Sequence, residues 1–223
     1  ILAFLIITPI ITYIYYANAI SDPDRLMNYN NTGVVLLDKN NEVFYSFGTA
    51  DRGARLPLDQ ISDYTEKALI SSEDKNFYEH GGFSLISILG ALFANLTSGD
   101  LTGYGGSTLT QQLAKNLFLS GERSYWRKAQ EALITLMIEA VMDKQRILHL
   151  YLNYAEWGVG VFGAQAAAQH YFGIPASQLN AYQAARLAAM LPRPRHYDKH
   201  RDSAFLASRT EFVLRWMPQM QLP

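Results

Sequence analysis

Two short blocks hold the residues whose types and spacing could do chemistry. The first is Ser72-Glu73-Asp74-Lys75-Asn76-Phe77-Tyr78-Glu79-His80-Gly81-Gly82, which places carboxylates and a histidine where a helix runs into a glycine turn. The second is Gly106-Ser107-Thr108-Leu109-Thr110-Gln111-Gln112-Leu113-Ala114-Lys115-Asn116. At about 100° per residue, Thr108, Gln111, Gln112, Lys115 and Asn116 share one side of a helix, with Leu113 and Leu117 on the other. A merely solvated face would more usually carry Glu and Lys. This one offers hydroxyls, amides and a cation, which suits sugar and phosphate oxygens. Ser107 and Thr108 also fall at the helix start, where free N–H groups favour anions and where either side chain could cap. Together the blocks point to chemistry on a sugar that carries a phosphate.

Glu73 and Asp74 stand at a helix C-terminus, an end that disfavours negative charge. A carboxylate held there beside the apolar Phe77 is disposed to take up a proton, as general-base work requires. His80, just before Gly81-Gly82, reads better as a donor or acceptor supporting the turn. Further on, Arg127 and Lys128 lie four and three residues before Glu131, which alone is an ordinary helical ion pair. No pair of histidines or carboxylates has metal-ligand spacing, and neither a G-x-S-x-G elbow nor a Walker loop occurs.

The elements that must position these groups are mainly helices. A β-hairpin is expected from Gly33–Leu37 and Glu42–Phe47 around a polar turn. Asp63 with Glu66 forms a capping-box pattern for a helix to about Asp74. Phe83–Leu96 is an apolar helix, followed by a Gly-rich loop over Thr97–Gly106. Further helices are expected from Thr108, capped with Gln111, to Leu119, over Tyr125–Asp143 and over Gln145–Tyr154. Gly158, Gly160 and Gly163 mark a loop before Ala164–Phe172, which stops at Gly173. A helix capped by Asn180 and Gln183 runs to Leu191, where Pro192 and Pro194 end it, and a last one covers Ser203–Met217.

The chain has 223 residues, nearly half of them hydrophobic, enough for one cored domain plus an appendage. A net charge of −1 gives no bulk attraction to nucleic acid. Absence of cysteine excludes disulfides, thiolate metal sites and a Cys nucleophile. A basic cluster, Arg193, Arg195, His196, Lys199, His200 and Arg201, reads equally as a solvated face or a functional one. Residues 1–20 carry no charge, and about 20 apolar residues span a bilayer core, so a transmembrane anchor is expected there, with a linker over 21–32. A buried core helix is the weaker alternative for 1–20.

The motifs resemble those of the peptidoglycan glycosyltransferases of glycosyltransferase family 51. Glu73-Asp74-x-x-Phe77-x-x-His80-x-Gly82 is similar to the first family motif, and Gly106-Ser107-Thr108-x-x-Gln111-Gln112-x-x-Lys115-Asn116 to the second. Arg127-Lys128-x-x-Glu131 is similar to the third and Lys144-x-x-Ile147-Leu148-x-x-Tyr151-Leu152-Asn153 to the fourth. The fifth is matched by Ala184-Ala185-x-Leu187-Ala188-Ala189 with Pro192 and Tyr197. Arg146 stands where the fourth motif often has Glu and is assigned no role.

The resemblance implies a lysozyme-like, mainly α fold with two lobes, a head and a membrane-facing jaw over roughly 83–106, within a glycosyltransferase domain at 33–223. It implies polymerisation of lipid II into β-1,4-linked strands with inversion and release of undecaprenyl pyrophosphate. Glu73 would be the general base and Glu131 the second carboxylate. Ser107, Thr108, Gln111, Gln112, Lys115, Asn116, Arg123, Arg127 and Lys128 would bind substrate and pyrophosphate, with Asp74, Phe77 and His80 supporting the site. No cofactor is required; a divalent cation, Mg2+ or Mn2+, stays open. The partners implied are lipid II, the growing lipid-linked strand, the bilayer and other cell-wall synthesis proteins, on the outer face of the bacterial cytoplasmic membrane. The chain looks closer to monofunctional members than to bifunctional penicillin-binding proteins. The competing readings are a lysozyme-like hydrolase and a non-catalytic membrane scaffold.

Overall fold

The computed structural model describes residues 2–21, 34–37, 43–47, 55–85, 88–90, 97, 106–119 and 125–223. Over these the chain is mainly helical, with two small antiparallel hairpins. It divides into two units, Ile1–Tyr29 with Asn76–Leu148, and Asn30–Lys75 with His149–Pro223. The expected linker at 21–32, the jaw at 83–106 and Arg123 lie largely or wholly outside the described residues.

In the first unit, the helix Leu2–Ser21 contains Pro9 and no charged residue. Thr12, Tyr16 and Ile20, spaced four apart, are buried. The helix packs on helix Tyr125–Val141, and the Tyr16 ring meets Phe118 edge-on at 5.5 Å. Its other face leaves Ile10, Ile11, Tyr13, Ile14 and Tyr15 exposed. Among the described residues no helix is long and apolar enough to cross a membrane, so the anchor expected at 1–20 finds no support in the structure. Thr12 and the tyrosines at 13, 15 and 16 dilute the hydropathy that a span needs.

Helix Leu109–Phe118 starts at a full capping box. Thr108 accepts from the Gln111 N–H, and the Gln111 side chain accepts from the Thr108 N–H. Leu109, Leu113 and Leu117, again four apart, are buried. This helix packs on Tyr125–Val141, which buries Ile134, Met137 and Ile138. Each such side chain contributes about 1.5–3 kcal/mol of burial, which fixes the direction in which the polar side points.

The second unit is built around helix Asp63–Glu73, packed on Ala181–Met190 and Ala204–Trp216. Ala68, Ala184, Ala185 and Ala188 form its core with Val213 and Met217. Small side chains let the helix axes approach closely. Asn180 and Gln183 make the expected capping box. Asp63 and Glu66 do not: the cap position is Ser62, Asp63 is already helical, and no side-chain cap bond forms. The Ser62 hydroxyl donates instead to the Leu179 carbonyl at 2.8 Å.

Two elements of this unit were read differently from sequence. The glycine-rich 158–163 stretch is a hairpin, strand Glu156–Gly158 pairing with Val161–Phe162, rather than a loop. Beyond Met190 the chain forms another short helix, Pro194–Lys199, with proline in its first turn, where a missing N–H costs nothing. Helix Ala164–Phe172 ends as expected at Gly173, whose φ of +68° is the left-handed cap that favours glycine. Strands Val34–Leu37 and Val43–Phe47 pair antiparallel, with Leu36 opposite Tyr45.

Candidate active site

Glu73 is the last residue of its helix, because Asp74 leaves helical geometry at φ −159°, ψ 76°. The Asp74 N–H still closes the final turn onto Ile70 at 2.9 Å, and the Asp74 side chain is buried. The Glu73 side chain is only 10% exposed. Ser72 Oγ lies 3.2 Å from Glu73 Oε1 and 3.4 Å from the Ala188 carbonyl, so its single proton serves one acceptor at a time. Arg209 Nη2, from helix Ala204–Trp216, stands 3.5 Å from the same Oε1. Tyr151 is fully buried in this unit. Burial, and then the Glu73 charge, raise its phenol well above the usual tyrosine value and keep it neutral.

In the first unit the predicted polar face separates into two kinds of residue. Thr108 and Gln111 are buried and engaged in the cap. The Thr108 hydroxyl donates onward to the Gly82 carbonyl at 2.6 Å, tying the helix start to the glycine turn. Ser107, Gln112 and Asn116 are half-buried and Lys115 is exposed, so these are the members of the set that a ligand could reach.

Glu131 is buried, its side chain 3% exposed. Arg127 Nη1 lies 3.8 Å from its Oε2, and Lys128 Nζ pairs with its Oε1. Lys128, about half exposed at 52%, also reaches Ser107 Oγ at 3.4 Å. Lys128 therefore links helix Tyr125–Val141 to the start of helix Leu109–Phe118. A buried acid distinguishes it from the solvent-exposed pairs that contribute little.

The turn after the first motif is braced within the same unit. The Gly82 N–H donates to His80 Nδ1 at 3.2 Å. Phe77 is buried under Lys144, whose Nζ is 4.6 Å from the ring centroid. Lys144 also pairs with Glu139 at 2.7 Å, and Thr110 donates to that carboxylate at 2.5 Å. Gly82 has φ +89°, and a Cβ there would fall 2.7 Å from Thr135 Cγ2, so only glycine fits.

Sequence reading missed Glu139 and Arg209. Glu139 is eight residues beyond Glu131 on one helix, which a search for stacked carboxylates would have found. Arg209 has no local signal, since it lies 136 residues from Glu73. The basic cluster at 193–201 is partly structural. Arg195 pairs with Glu156 at 2.8 Å. Asp198 bonds Arg201, His170 and the Val159 N–H. Burial opposes the charge on Asp198, but these hydrogen bonds outweigh it and hold its pKa at about 2. Among the described residues no group of three or more His, Asp or Glu could hold a metal ion.

Comparison with known proteins gives a consistent picture. A family model described as transglycosylase matches residues 40–218. A biosynthetic peptidoglycan transglycosylase of Janthinobacterium sp. (strain Marseille) is 56% identical over 168 residues, covering 75% of this chain and 72% of that protein. One of Bordetella avium (strain 197N) is 58% identical over 171 residues, covering 75% and 71%. One of Laribacter hongkongensis (strain HLHK9) is 53% identical over 164 residues, covering 74% and 72%.

Proposed function

The chain belongs to the transglycosylase family and is a peptidoglycan glycosyltransferase of cell-wall synthesis; from that premise we propose that Glu73 is the general base of lipid II polymerisation. Its carboxylate takes the proton from the 4-hydroxyl of the acceptor sugar as that oxygen attacks the anomeric carbon of the donor. The bond from that carbon to the pyrophosphate oxygen breaks. The undecaprenyl pyrophosphate leaves with the bonding electrons, and the centre inverts to a β-1,4 link.

The observation that carries this reading is the state of Glu73. It is a largely buried carboxylate at a helix end that disfavours charge, placed against a serine hydroxyl and a guanidinium. Lys115, with Arg127, Lys128 and Arg123, stabilises charge developing on the leaving pyrophosphate, since cations act most strongly where charge appears in the transition state. Glu131 orients Arg127 and Lys128, which pair with it. Ser107, Gln112 and Asn116 supply hydrogen bonds to sugar and phosphate oxygens.

A lipid-borne substrate must be met at a bilayer, so the protein works at the outer face of the cytoplasmic membrane. The exposed Ile10, Ile11, Ile14, Leu85 and Leu89 side chains of the first unit are compatible with contact to lipid. Incubation with lipid II, and separately with finished peptidoglycan, tests the proposal. Polymer is expected from the first and no cleavage from the second. Cleavage without polymerisation would replace it with the hydrolase reading.

A further inference from the structure

We infer that Arg209 is the positioning residue for the Glu73 carboxylate. The inference rests on the proposed role of Glu73 as base. Helix Ala204–Trp216 packs on helix Asp63–Glu73 within one unit. It carries Arg209 across to the last turn, where Nη2 stands 3.5 Å from Glu73 Oε1 and 3.4 Å from Ser72 Oγ. One guanidinium nitrogen thus lies near both the proposed base and its hydroxyl neighbour.

Three features separate this contact from a surface ion pair. The Glu73 side chain is 10% exposed and that of Arg209 29%, so water screens the pair poorly. The Arg209 Nε is buried and makes no hydrogen bond within the described structure. An unsatisfied buried donor lowers stability, and the Nη2 end of the same side chain is the one that approaches Glu73. Glu73 also ends a helix whose dipole repels a carboxylate, and a cation arriving from another helix offsets that repulsion.

The distance matters as well. A charge-assisted hydrogen bond closes to about 2.7–2.9 Å, whereas this contact stays longer. Arg209 thus faces the same carboxylate oxygen that the Ser72 hydroxyl approaches. The hydroxyl of Ser72, shared between Glu73 and the Ala188 carbonyl, fixes the same oxygen from the helix side.

The test is steady-state kinetics on lipid II with the full chain bearing Arg209→Ala, Arg209→Lys, Glu73→Gln and the Arg209→Ala/Glu73→Gln pair, with thermal unfolding of each. Arg209→Ala is expected to lower kcat roughly 10- to 100-fold, the scale of a misplaced reacting group, with KM within about twofold of wild type. Arg209→Lys is expected to recover part of the loss, and the double variant to be no slower than Glu73→Gln alone. An unchanged kcat, a rise in KM alone, or additive losses in the double variant would overturn the assignment. If Arg209→Ala does not fold, Arg209→Lys decides: wild-type kcat overturns the role, and a reduced kcat at wild-type melting temperature supports it. Should Glu73→Gln itself polymerise at the wild-type rate, the base assignment fails first, whatever Arg209 does.

Discussion

Glu73 and Glu131 are both largely buried carboxylates from the sequence motifs, yet the cations that meet them come from very different distances along the chain. Glu131, in the first unit, is held by Arg127 and Lys128, four and three residues back on its own helix. Glu73, in the second, is met by Arg209, on a helix 136 residues away in sequence. A local pair forms as soon as its helix does. A remote pair exists only once helices Asp63–Glu73 and Ala204–Trp216 are packed, so the second arrangement depends on the fold and the first largely does not. The difference suits two tasks. Glu131 is locked between cations, as fits a group that orients charge. Glu73 meets a cation from another helix at 3.5 Å, as fits the proton acceptance proposed for it.

The largest effect that could break this comparison is expected at Glu73. Glu73→Gln preserves shape and removes the proposed base, so lipid II polymerisation should fall by about 10²–10⁴-fold, while thermal unfolding moves little. Glu131→Gln should behave otherwise, because it leaves Arg127 and Lys128 beside a neutral buried amide. Breaking a buried pair costs several kcal/mol, but Lys128 is half exposed, so a loss of about 1–2 kcal/mol is expected, together with reduced activity. Chemical denaturation of both variants makes the contrast measurable. Equal stability losses would show that both carboxylates are structural in the same way, and the distinction would go. Thr108→Ala comes next. It removes the cap that joins helix Leu109–Phe118 to Gly82, and about 1 kcal/mol of stability should be lost in the same denaturation assay.

The same split between local and remote explains what the chain reveals unaided. The capping boxes at Thr108–Gln111 and Asn180–Gln183, the leucine spacing of 109, 113 and 117, and the Gly173 stop are short-range, and all were legible. Asp63–Glu66 had the right spacing but not the right frame, because Ser62 takes the cap position and sends its hydroxyl to Leu179. Two prolines after Leu191 signalled an end, yet Pro194 also suits the first turn of a new helix. Glycines at 158 and 160 suggested a loop. Gly158 is instead needed in a strand, because a Cβ would fall 2.4 Å from Tyr171 Oη. The motif residues of the site were visible, whereas Arg209 was not, since no spacing rule links positions 73 and 209. Burial was less visible: the capping pattern marked Thr108 and Gln111 as engaged, but not as enclosed.

A third carboxylate on the Glu73 helix sharpens the comparison at the smallest scale. Glu66 is buried. Burial first, then the nearby Asp63 charge, raise its pKa from 4.5 to about 7. The group therefore binds its proton more tightly when folded, so its contribution to stability is full below about pH 4.5 and is lost as pH rises through about 7. Water still reaches part of this site, and the first helical turn favours an acid, so the effect is held to about 1 kcal/mol. Glu66→Gln cannot ionise and should match wild type near pH 4.5, then become the more stable of the two by pH 8. The measurement is the difference in melting temperature between the two proteins across that range. A difference that stays constant with pH would show that Glu66 ionises in the folded protein as freely as in the unfolded chain. Burial alone would then not determine the behaviour of a carboxylate on this helix.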